Sequence, residues 1–132
     1  MKMNDQREAT RNYLQQIGLH DCRIERARKQ LEELEIVAER LGPERYQKYR
    51  ETFQDTLKNV SAQRDNIIQQ IVTLPDKYAN ILLMIHVKGL KIVEVSELTD
   101  KPERSISRTY AEALDVFRNK WERWIPFGSQ EE

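Results

Sequence analysis

Four prolines and four glycines are all that punctuate 132 residues, and apart from Gly18 they fall between stretches whose apolar residues recur at helical spacing. The period-two alternation that marks a half-buried strand is nearly absent. Such punctuation leaves an all-α chain, with breaks at Gly42-Pro43, Leu74-Pro75, Gly89, Pro102 and Pro126. Charged residues make up 33% of the chain and apolar ones 39%, which suits long helices with solvated, ion-paired faces. The length fits one domain, or one small domain with a helical appendage.

From about Asn4 to Leu41 there is no proline. Ile17, Ile24, Leu31 and Ala38 recur at sevens, and His20, Ala27, Leu34 and Leu41 follow three positions later. These are the a and d rows of a heptad repeat, interrupted at His20 and weakened at Ala27. Pairs such as Glu25–Lys29 and Arg28–Glu32 lie four apart and support the exposed face. After Gly42-Pro43 a second helix runs to about Ile71, with a stripe of Tyr46, Tyr49, Phe53, Leu57, Val60, Ile67 and Ile71. So tight a break predicts a coiled-coil-like antiparallel hairpin over residues 1–73. Two helices bury only one seam. The hairpin must then pack on the C-terminal unit, on a second copy of the chain or on another protein, and the aromatic stripe favours self-association, a dimer first, through Ile17, Ile24, Leu31, Leu34, Tyr46 and Phe53. One amphipathic helix in an ordinary bundle would share the same pattern.

From Leu74 the elements shorten. Asp76 to Val87 carries Tyr78, Ile81, Leu82 and Ile85 on one side and stops at Gly89. Ile92 to Leu98 is short, with Ile92, Val95 and Leu98 expected to face inward. Thr99-Asp100-Lys101-Pro102 makes a turn. A last helix runs from about Glu103 to Trp124, and residues 126–132 read as a frayed tail. Three helices with a short middle member, over residues 74–125, are the plan of a helix-turn-helix, which offers one helix to the major groove of DNA.

On that last helix Ile106, Tyr110, Ala113, Leu114, Phe117 and Trp121 share one face. Arg104, Ser105, Ser107, Arg108 and Glu112 lie opposite, with Thr109 near the boundary. The first turns of such a helix reach base edges; Arg pairs with guanine through two hydrogen bonds, and Ser contacts bases or phosphates. The expected base-reading residues are thus Arg104, Ser105, Ser107 and Arg108. Lys88, Lys91, Lys101 and Thr109 are the expected contacts to the DNA backbone. The plainer alternative is a solvated face in which Glu103 and Glu112 pair with the two arginines.

Charge argues for restraint. The formal net charge is zero, whereas phosphate binding rewards a basic surface. Residues 74–124 hold nine Lys or Arg against eight Asp or Glu. Affinity of one copy should then be modest and helped by dimerisation. Cys22 is the only cysteine, so no internal disulfide can form. His20 and Cys22 are two apart, which is not ligand spacing on a helix, and no zinc pattern results. No glycine-rich phosphate loop and no nucleophile–base pair can be named, so neither catalysis nor a cofactor is expected. The start MKMNDQRE lacks a signal-peptide core, and the longest aliphatic run, Ile81–Ile85, is too short to span a bilayer. A cytoplasmic protein without membrane partners is expected.

The segment from about Ile67 to Phe117 resembles the helix-turn-helix of sigma-factor region four, and more closely phage proteins of the ArpU/RinA type. The shared features are Leu74-Pro75, Tyr78 with Ile81-Leu82, Gly89-Leu90, Val93-Glu94-Val95-Ser96-Glu97-Leu98, and Ser105-Ile106-Ser107-Arg108 followed by Ala113-Leu114. The turn Thr99 to Pro102 departs from the pattern in lacking a glycine, and Val87-Lys88 stands where Arg-Tyr is more usual. The resemblance implies a regulator of late phage transcription, acting on double-stranded DNA in a bacterial host, with RNA polymerase as a further partner. Two other classes fit the same helices: a protein–protein adaptor touching polymerase or a phage protein, and a packaging protein of the small-terminase kind.

Overall fold

The computed structural model describes residues 3–126. The expected tail, residues 126–132, lies outside them except for Pro126. Among the described residues every regular element is helical: α1 (Met3–Ile36), α2 (Ala38–Leu41), α3 (Pro43–Val72), α4 (Asp76–Leu82), α5 (Ile92–Thr99) and α6 (Glu103–Trp121). A π-helical turn, Leu83–Val87, extends α4, and a 3-10 turn, Glu122–Trp124, extends α6. The fold is all-α.

The chain divides into two compact units, one formed by residues up to Gly18 and from Ile67 onward, the other by Leu19–Asn66. This differs from a hairpin over 1–73 followed by a separate unit. The reason is apolar supply. A unit of about 50 residues buries too little surface to be more than marginal on its own. Leu14 and Ile17 of α1 and Ile67 and Ile71 of α3 complete the core around Leu82, Val95 and Phe117. Leu14, Ile17, Ile71, Leu82 and Phe117 are fully buried. Ile17 is therefore spent inside this core and is not offered to a second copy.

Polar pairs fasten the added segments. Tyr13 donates to Gln70 Oε1 at 2.6 Å, and its ring lies 6.0 Å from that of Phe117. Trp121 Nε1 donates to the Gln70 carbonyl at 3.1 Å. Arg7 grips Asp115 with two parallel bonds of 3.0 and 2.8 Å, the fork geometry that gives such pairs their specificity.

In the other unit α1 and α3 form the expected hairpin within one chain. Ile24, Ala27, Leu34 and Val60 are buried along its seam, while Leu31, Tyr46 and Phe53 are half-buried. Arg64 pairs with Asp21, and Tyr46 donates to Glu35. His20 sits in the seam with no hydrogen-bond partner for Nδ1. Burial, then the charge of Arg23, holds its pKa below the usual value. The helix expected to run unbroken to Leu41 is interrupted at Val37, and Gly42 at φ 85° makes the reversal that an L side chain resists.

Candidate nucleic-acid interface

The interface is built from the turn upward. α4 runs into a π turn in which Lys88 N–H reaches back five residues to the Leu83 carbonyl at 3.0 Å. Leu90 N–H reaches the Met84 carbonyl at 3.0 Å, one residue farther than in a regular Schellman ending, with Gly89 left-handed at φ 73°. At the start of α5, Glu94 accepts the Lys91 backbone N–H at 2.8 Å. This is half of a capping box, since a lysine side chain has no acceptor to complete it.

The turn between α5 and α6 lacks glycine, and Asp100 takes its place, left-handed at φ 55° and ψ 42°. That conformation costs most L-residues about 1–2 kcal/mol, and Asp is among the few that visit it. Thr99 Oγ1 donates to the Val95 carbonyl at 2.8 Å, Lys101 N–H to the Ser96 carbonyl at 3.2 Å, and the Ser96 hydroxyl to the Lys101 carbonyl. Val95 and Ile106, both buried, pack into the shared core behind the turn. Leu98 is the exception: expected inward, it stands 69% exposed. Val93, on the same helix, is 43% exposed.

α6 keeps Ile106, Ala113, Leu114 and Phe117 buried and Tyr110 and Trp121 half-buried, as its stripe requires. Arg104, Ser107 and Arg108 are exposed, and Ser105 and Thr109 are half-buried. At about 100° per residue, Arg104 and Arg108 lie close together on the outer face, with Ser105 and Ser107 at its two edges. Among the described residues neither arginine forms an ion pair with Glu103 or Glu112. Lys88, Lys91 and Lys101 are exposed in the connecting turns.

Two grooves flank this face. One, of about 760 Å³, brings Lys91 and Ser107 together with Arg7, Glu8 and Arg11 of α1. The other, of about 330 Å³, brings Lys101 and Thr109 together with Lys77 and Asn80 of α4. The contribution of α1 was not legible in the sequence, because Arg7 and Asp115 stand 108 residues apart.

Behind the first groove, His86 is buried with Nε2 2.9 Å from Tyr110 Oη. The Arg11 guanidinium lies over the Tyr110 ring, 5.8 Å from its centroid. Burial, then the positive charge of Arg11, pushes the His86 pKa down to about 4. An imidazole with a depressed folded-state pKa stabilises the protein while neutral. Its contribution is whole above pH 6.5, where the unfolded state is also neutral, and is lost as the pH falls toward about 4. The expected loss over that window is about 3 kcal/mol. Thermal melts across it should fall more steeply for the wild type than for His86→Gln, which can still bond Tyr110 but does not titrate. Parallel curves would remove His86 as the source.

No metal-binding cluster occurs among the described residues, and no helix there is long and apolar enough to cross a membrane. No curated protein and no solved structure matches the chain. Residues 64–115 match the family model for sigma-70, region 4, and so carry a helix-turn-helix of the DNA-binding kind.

Proposed function

We propose that this protein is a transcription regulator of phage or prophage late genes, related to the ArpU/RinA type, which binds double-stranded DNA and catalyses nothing. The observation that carries the reading is the pair Arg104 and Arg108, exposed, one turn apart at the start of α6 and without carboxylate partners among the described residues. α6 lies in the major groove; Arg104, Ser105, Ser107 and Arg108 face base edges, and Lys88, Lys91, Lys101 and Thr109 face phosphates. No cofactor takes part, and the site of action is the bacterial cytoplasm.

The active form is a dimer. Its support is the hairpin unit, where Leu34, Val37, Tyr49 and Phe53 line an apolar groove of about 340 Å³, and the rings of Tyr49 and Phe53 stack 6.4 Å apart. A polymerase-contacting adaptor is the second reading, favoured by exposed Leu98 and Val93 on α5 and by the zero net charge.

Fluorescence anisotropy tests the choice, using duplexes from the gene's own neighbourhood and a scrambled competitor over a salt series. Expected is a preferred duplex whose affinity falls steeply as salt rises. A folded protein that binds no duplex even at low salt is an adaptor.

A further inference from the structure

The geometry points to α1 as part of the DNA-binding surface, with Arg11 and Lys91 seating one backbone phosphate of the duplex in the groove beside Ser107. The inference rests on the DNA-binding reading above and extends it to a helix outside the matched segment 64–115. Arg11, Lys91 and Ser107 all line the same groove. Lys91 is an expected phosphate contact and Ser107 an expected base contact, so a duplex read by α6 passes over its mouth.

The two arginines of α1 differ in what they have left to give. Arg7 is committed to Asp115 through two bonds; its charge is matched, and it clamps α1 against α6. Arg11 comes one turn later and pairs with no carboxylate among the described residues. Its neighbour is Tyr110: the guanidinium carbon lies 5.8 Å from the ring centre, and the Tyr110 side chain takes a hydrogen bond from it. A guanidinium has five N–H donors, so others remain for phosphate oxygens. Glu8 is the one carboxylate of the groove wall, so the excess positive charge suits a single phosphate.

The test is the anisotropy salt series with the full chain, Arg11→Gln and Arg11→Lys. Arg11→Gln should weaken specific and scrambled duplexes alike, roughly three- to tenfold, and lower the slope of log affinity against log salt by about 0.9. Arg11→Lys should stay near the wild type, because it keeps the charge and loses only part of the contact with Tyr110. Unchanged affinity and slope in Arg11→Gln, with the wild type binding normally, overturns this inference alone. Loss of binding by Arg11→Lys as deep as by Arg11→Gln makes Arg11 a packing residue and overturns it as well. A wild type that binds no duplex overturns both this inference and the DNA-binding reading. Inorganic phosphate at matched ionic strength should not displace the duplex; displacement that Arg11→Gln abolishes would make the groove a free-anion site and overturn the assignment to DNA.

Discussion

Replacing Arg104 and Arg108 together with alanine should erase the preference for one duplex while the helical content stays native. Each bidentate arginine–guanine pair contributes about 1–3 kcal/mol of discrimination, so the pair stands for roughly 2–6 kcal/mol if both read bases. The scrambled duplex should lose much less, since it registers only the two missing charges. Stability should not fall. Both side chains are exposed, and α6 begins at Glu103, which puts Arg104 in the first turn. A cation there opposes the positive end of the helix dipole, at about 0.3–1 kcal/mol. A helix shaped for stability alone would carry an acid at that position. Equal losses on both duplexes would make the two arginines phosphate contacts and move base reading elsewhere. No loss on either would leave them as a solvated face.

The outer and inner faces of α6 were legible because a helix of five turns repeats its pattern often enough to fix its orientation. α5 was not, for the opposite reason. Ile92, Val95 and Leu98 are spaced by three, and each such step rotates about 60° short of a full turn. Over eight residues the stripe drifts, so Val95 is buried at the centre while Leu98 turns out to 69% exposure. The missing turn glycine was visible, but not that Asp100 would supply the left-handed residue. The division of α1 between two units left no mark either. Its apolar rows continue from Ile17 through Leu34, and a heptad does not announce where the partner changes from Phe117 to the hairpin seam.

That division has a measurable consequence at Leu14. The side chain is fully buried in the core it shares with Leu82, Leu114 and Phe117. Leu14→Ala should destabilise the helix-turn-helix unit by about 2–5 kcal/mol, the cost of lost burial plus the cavity left behind. Against a total of roughly 5–15 kcal/mol for a domain, that is a large share. Tryptophan fluorescence is the readout, because the chain has two tryptophans and both, Trp121 and Trp124, lie in this unit. Trp121 is tied to it through its bond to the Gln70 carbonyl. Leu19→Ala is the control: the residue sits five positions along the same helix but is 63% exposed, and its loss should cost less than about 0.5 kcal/mol. A denaturation midpoint that falls for Leu14→Ala and holds for Leu19→Ala makes the start of α1 a structural part of the DNA-binding module. A midpoint that ignores Leu14→Ala would return that segment to the hairpin and leave Arg11 without a fixed place in the groove that Lys91 also lines.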